Sequence, residues 1–183
     1  MIDYTKIKLF TPSEKQQEGI DAILNECEAQ GVTDLRQIAY ILGTVYHEVG
    51  GTMQPIEEVG RGRGRKYGHK LKQTGEAYIY PPKIYYGRSF VQLTWYENYE
   101  RFGKYLKIDL LNHPELALDI DTAAKIAVIG MKKGMFTGRK LSDYFNEEKT
   151  DWINARKIIN SLDCAEKIEG YAIHFFDALK PQT

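Results

Sequence analysis

Residues 50–83 constrain this chain more than any others, because no regular element can run through them. Seven glycines, at 50, 51, 60, 62, 64, 68 and 75, and the pair Pro81-Pro82 interrupt any apolar period there. Glycine admits backbone angles that other residues avoid and proline removes an amide donor, so helix and sheet ladders both fail. Structured loops of that length inside compact domains are usually functional. The break starts directly behind a helical pattern, in which Leu35, Ile38, Ala39, Leu42, Val45 and Tyr46 form a buried stripe ending near Glu48. The stretch Tyr46-His47-Glu48-Val49-Gly50-Gly51 therefore fixes one carboxylate on a rigid element. The loop that leaves it delivers another at Glu58, ten residues on. A pair of that kind suits general acid and general base chemistry across a cleft.

The flanking sequence predicts helices. Thr11-Pro12-Ser13-Glu14 has the form of a capping box with proline at the first helical position. Ile20, Ile23, Leu24 and Cys27 follow at helical spacing, Gly31 stops that helix, and Thr33-Asp34 starts the next. Residues 84–93 have β-type composition and predict a short strand or extended segment. Thr94 or Trp95 then opens a helix through Tyr99, Phe102 and Leu106. Asp121 caps another that carries Ala124, Ala127, Val128 and Met131 and ends at Gly134. Short helices are expected at 141–145 and 152–159. A final amphipathic helix carries Ile168, Tyr171, Ala172, Phe175 and Leu179. With no repeat or linker to divide it, the chain reads as a single domain over residues 1–183. Its class is α+β, mainly α-helical with a small β or extended insertion.

Composition narrows the function classes. Hydrophobic residues at 43% and charged residues at 27% fit a soluble globular protein, and 183 residues bury a core without staples or metals. The 25 basic and 25 acidic side chains cancel, so no nucleic acid or anionic surface is required as partner. Thirteen tyrosines suit sugar rings, and equally the cores and rims of a fold. Cys27 and Cys164 both occupy apolar positions of predicted helices, which implies two buried thiols rather than a disulfide. No segment approaches the roughly 20 apolar residues of a membrane span, and the start has no leader-like run. The expectation is a monomer synthesised in the cytoplasm, without membrane insertion, that acts outside only if something else releases it.

Glu48 sits where a helix macrodipole places partial negative charge, a field that disfavours the carboxylate as a general acid requires. A solvated glutamate at a frayed helix end is the plainer alternative. His47-Glu48 is not half of a zinc helix, since Gly51 stands where a second histidine is needed. His69, His113 and His174 are scattered, so no metal or cofactor is expected. Gly60-Arg61-Gly62-Arg63-Gly64-Arg65-Lys66 has neither the preceding strand nor the following helix of a dinucleotide fingerprint. It is expected to be a mobile loop at the edge of a cleft. Gln92, Thr94 and Asn98 are polar groups set among aromatics, suited to a water and sugar hydroxyls, and Thr94 also fits as a helix N-cap.

These stretches resemble glycoside hydrolase family 19, the plant-type chitinases and their phage and bacterial endolysin relatives. His47-Glu48-Val49-Gly50-Gly51 is similar to the segment bearing the family's general acid. Tyr86-Gly87-Arg88-Ser89-Phe90-Val91-Gln92-Leu93-Thr94 with Asn98-Tyr99 resembles the motif Y-Y-G-R-G-x-x-Q-L-[ST] and its following N-Y. Ile158-Ile159-Asn160 resembles a late I-I-N. The likeness implies a lysozyme-like architecture with a small β or extended region beside a substrate groove. It implies Glu48 as general acid and Thr94 as holder of the catalytic water. Gln92, Asn98, Asn160, Tyr86 and Trp95 are then the substrate-binding residues. The segment Met53-Gln54-Pro55-Ile56-Glu57-Glu58-Val59-Gly60 is similar to endolysin-type members, which makes Glu58 the base, with Glu57 and Glu76 as alternatives. Ser89 departs from the usual glycine, and the disulfide cysteines and chitin-binding module of many plant members are missing, which points to the endolysin branch. The implied reaction is inverting hydrolysis of a β-1,4-linked N-acetyl amino-sugar polymer. Peptidoglycan is the first choice of substrate, at the bacterial cell wall after release, and chitin the second. The rival from another class is a non-catalytic cell-wall-binding module, against which an intact Glu48 argues.

Overall fold

The computed structural model describes residues 2–181 and divides into two compact units, Met1–Gln54 with Ala127–Thr183, and Pro55–Ile126. One of the two boundaries, between Ile126 and Ala127, falls within a helix. Five α-helices are present among the described residues: α1 Glu14–Ala29, α2 Leu35–Glu48, α3 Tyr96–Leu106, α4 Ile120–Lys133 and α5 Ala165–Leu179. Short 3-10 turns add to them, and no strand ladder forms among the described residues, only isolated bridges. The mainly helical class expected from the sequence is the one observed.

In the first unit α2 is the central element, with every residue from Ile38 to Val45 buried. Its Asp34 side chain accepts from the Arg36 amide at 2.9 Å, satisfying one of the donors that a helix start leaves open. Helix α5 packs on α2 at Gly43, where an added Cβ would lie 2.7 Å from the Ala172 amide nitrogen. Only a glycine lets those backbones approach so closely. At Gly19 of α1 an added Cβ would fall 1.7 Å from the Met53 carbonyl oxygen, so the chain leaving α2 lies directly on α1. Gln16 Nε2 donates to the Gly51 carbonyl at 2.8 Å and fixes the same turn. Ile20, Ile23, Ile41, Leu42, Ile168 and Phe175 fill the space between these helices, all fully buried.

Three details of the helix ends differ from the sequence expectation. The capping box of α1 is built by Ser13 with Gln16, two residues beyond Thr11. Asp119, not Asp121, caps α4, accepting from the Thr122 amide at 2.9 Å. Cys27 is buried, but Cys164 is exposed: it stands ahead of α5 as its N-cap, with φ of 58°, and so outside the apolar stripe.

The second unit is built on aromatics. The rings of Tyr78, Tyr85, Tyr96 and Tyr99 meet at centroid distances of 5.0 to 5.6 Å, which places several of the tyrosines in a core. Residues 84–93 do not form the expected strand. Ser89 at φ 86° and Gln92 at φ 52° both reverse the chain, and the Arg88–Leu93 bridge closes a tight turn instead. Ser89 holds the backbone angle that glycine would hold without strain, and its buried hydroxyl has no hydrogen-bond partner among the described residues. Residues 58–68 fold into a series of turns. Successive turns close through Arg61 N to Glu58 O at 3.1 Å, Arg63 N to Gly60 O, Arg65 N to Gly62 O and Gly68 N to Arg65 O, each at 3.0 Å.

Candidate active site

In the first unit Glu48 is the last residue of α2, and the chain turns away through Gly50 at φ 58° and Gly51 at φ 81°. Its Oε1 lies 2.7 Å from Nη1 of Arg156, the side chains being 16% and 4% exposed. Arg156 is presented by the 3-10 turn Asn154–Ile158, which starts where Asp151 accepts from the Asn154 amide at 2.9 Å. Trp152 anchors the segment, its ring 4.8 Å from Phe145 and 6.3 Å from Tyr40 of α2. Arg156 Nε donates to the Asp163 carbonyl at 3.0 Å, which fixes the guanidinium. The sequence pattern gave no sign of this charged partner at the helix end. The pKa of His47 is held below the ordinary histidine value, by burial first and against the opposing charge of Glu48. Asn160 is exposed one turn beyond, its amide donating to the Arg156 carbonyl at 3.0 Å.

The second unit holds the other candidates. Ile56 and Glu58 pair their amides with the carbonyls of Ser89 and Gly87, at 3.4 and 2.7 Å, so the two motif segments run side by side. Glu57 and Glu58 point to different partners. Glu57 accepts from Tyr86 Oη at 2.7 Å and Arg61 Nη2 at 2.9 Å, and lies 3.8 Å from Arg88 Nε. Its carboxyl is held below the ordinary glutamate value, foremost by the Tyr86 hydroxyl and then, against burial, by the charges of Arg61 and Arg88. Glu58 is held by neutral donors: Tyr67 Oη at 2.8 Å on Oε1 and the Gly87 amide at 3.0 Å on Oε2. Glu76 is in neither group; it is mostly exposed and paired with Lys72 at 3.0 Å.

Gln92 Nε2 donates to the Ile56 carbonyl at 3.1 Å, and its Oε1 would lie 2.5 Å from a Cβ at Gly87. The glycine there leaves room for the Gln92 amide beside Glu58. Tyr86 is buried, under the Arg88 guanidinium at 3.5 Å from its ring centre. Trp95, at φ 72°, is the N-cap of α3, so Thr94 is not the cap. The Thr94 hydroxyl makes no hydrogen bond among the described residues, and Asn98 Nδ2 donates to the Thr94 carbonyl at 2.9 Å. No cluster of three metal-ligating side chains occurs among the described residues.

Within the second unit the structure gathers Glu57, Glu58, Tyr86 and Gln92, with Tyr67 joining Glu58 to the edge of Trp95 at 5.2 Å between ring centres. In the first it gathers Glu48 and the segment leading to Asn160. Sequence reasoning missed Arg156 and Tyr67. The only signal for Arg156 was its place two residues ahead of Ile158-Ile159-Asn160, and Tyr67 stands just behind the basic run Gly60–Lys66, where no motif singled it out.

The family profile described as class I chitinase, glycoside hydrolase family 19, matches residues 26–136. The chain belongs to that family. Its curated relatives include Endochitinase At2g43610 of Arabidopsis thaliana, 34% identical over 95 residues, which is 52% of this chain and 31% of that one. Another is Inactive chitinase-like protein 1 of Hevea brasiliensis, 35% identical over 91 residues, covering 46% and 29%. The matches thus take in about a third of the length of these relatives. Among solved structures, chitinase C from Streptomyces griseus HUT6037 is 23% identical, with 92% of each chain covered and a TM-score of 0.60. That likeness shows the fold, and it gives this family 19 member the lysozyme-like architecture expected from its motifs. Because one similar protein is named inactive, family membership alone leaves catalysis to the residues of the site.

Proposed function

We propose that the protein hydrolyses a β-1,4-linked N-acetyl amino-sugar polymer by an inverting general acid and base mechanism. In this reading Glu48 protonates the leaving oxygen and Glu58 activates a water, with no covalent sugar intermediate. The observation that carries it is the environment of Glu58. Both of its oxygens are oriented, at 2.8 and 3.0 Å, by donors that carry no charge, while its neighbour Glu57 is neutralised by arginines. A carboxylate that is aimed but not ion-paired suits a base, and each oxygen keeps a further lone pair for water. Thr94, whose hydroxyl no protein group uses, is assigned to hold that water. Gln92, Asn98, Asn160, Tyr86 and Trp95 form or support the sugar contacts.

Peptidoglycan is the proposed substrate, met at the bacterial cell wall after synthesis in a cytoplasm and release by another agent. Arg63 and Arg65 are exposed and make no ion pair among the described residues. They supply local attraction for the carboxylates of peptide-bearing sugars, screened beyond about 8–10 Å at physiological salt. The second reading, chitin hydrolysis, is favoured by the relatives named endochitinases. Mass spectrometry of products from purified peptidoglycan and from chitin hexamer separates them. Muropeptide fragments with slow hexamer cleavage support the first reading, and rapid hexamer cleavage with intact peptidoglycan replaces it by the second.

A further inference from the structure

Tyr67 follows Glu58 by nine positions, and the eight residues between them return the chain to its starting point. Consecutive turns bring it back, closed by amide-to-carbonyl bonds of 3.0 to 3.1 Å from Arg61, Arg63, Arg65 and Gly68. Glycines permit the return. At Gly68 an added Cβ would lie 1.9 Å from the Gly62 carbonyl oxygen, and Gly62 stands at φ 82° with its own Cβ position 3.3 Å from the Tyr67 ring. The alternating glycines that read as a basic loop are thus the hinge of a compact strap. What the strap presents is one side chain: Tyr67, whose hydroxyl donates to Glu58 at 2.8 Å and whose ring meets the Trp95 ring edge-on at 5.2 Å.

We propose that Tyr67 is a positioning residue for Glu58, holding the carboxylate in the one rotamer from which it takes a proton from water. The proposal rests on the reading of Glu58 as the base. The Gly87 amide fixes Oε2, and Tyr67 fixes Oε1, so the plane of the carboxylate is set from both sides. One donor alone would leave the group free to turn about its last bond. Tyr67 stays a donor across the working range, because burial and then Glu58 push its phenol up to about 12. Trp95 contributes by blocking the ring from swinging away. A misaimed base loses rate without losing substrate, since the contacts to the remaining sugars are untouched.

The test is Tyr67→Phe, which keeps the ring on Trp95 and removes only the hydroxyl, assayed with Glu58→Gln and the double variant on purified peptidoglycan and chitin hexamer. The expected result is a kcat lower by about tenfold or more with KM unchanged, the loss of a hydrogen bond to a charged group. In the Glu58→Gln background the same change should cost nothing further. An unchanged kcat in Tyr67→Phe while Glu58→Gln is inactive overturns the positioning role and leaves the base in place. Equal losses in both backgrounds overturn it as well, by making Tyr67 act elsewhere. Wild-type kcat in Glu58→Gln removes the base assignment itself. Gly68→Ala, which must displace the strap, should lower kcat in the same way, and an unaffected rate there counts against the proposal.

Discussion

Arg156 and Glu48 are 108 residues apart in sequence and 2.7 Å apart in the structure, the guanidinium almost wholly buried and the carboxylate mostly so. The pair ties the last turn of α2 to the 3-10 turn Asn154–Ile158, so the aim of the proposed acid depends on a distant part of the chain. Pairs of this kind are modest in net stabilisation when whole and expensive when broken, because one charge is left behind.

Arg156→Met should therefore destabilise the protein by roughly 2–4 kcal/mol, a little less than for a fully buried pair because Glu48 keeps some contact with water. Urea unfolding measures it. Polymer cleavage should fall in the same variant under conditions where it remains folded. A change of stability within error would mean that the pair does not hold the end of α2.

Glu57 is predicted to matter for stability more than for chemistry. Its carboxyl titrates below its ordinary value of 4.5, so its contribution is fully present above that value and is lost as pH falls through the folded-state pKa. The melting temperature of Glu57→Gln should lie below that of the wild type at pH 7, and the gap should close as the pH drops below about 4.5. Of Glu57→Gln, Glu58→Gln and Glu76→Gln, the largest loss of kcat belongs to position 58. The largest loss at 57 or 76 would move the base there.

Thr94→Val separates rate from stability cleanly, since Trp95 and not Thr94 caps α3. With no hydrogen bond among the described residues to lose, the folded state should change by less than about 0.5 kcal/mol. The rate should fall roughly ten- to a hundredfold if the hydroxyl aligns the attacking water. An unchanged rate would remove Thr94 from the mechanism.

Periodicity made the helices legible. The stripes from Leu35 to Tyr46 and from Ile168 to Leu179 became α2 and α5 because both bury a continuous apolar face. Motif reading likewise led to the family. The places where it went astray share a physical cause, which is backbone geometry that residue type conceals. Ser89, Gln92, Trp95 and Cys164 all adopt positive φ with side chains that normally avoid it, so a turn was read as a strand and an exposed cap as a core thiol. Arg156 and Tyr67 escaped notice for a different reason. Each acts through a single long-range or loop-closing contact, and no local spacing encodes such a contact.

The most direct test is cleavage by Glu48→Gln, followed by mass spectrometry of products from purified peptidoglycan and chitin hexamer. Circular dichroism and melting temperature first establish that the variant folds: its amide oxygen still accepts from Arg156, while the lost countercharge lowers the melting temperature. The account predicts a wild-type rate on at least one polymer and a loss of about 10²–10⁴-fold in the variant, the usual consequence of removing a proton-transfer group. A folded Glu48→Gln protein that cleaves at the wild-type rate would contradict it.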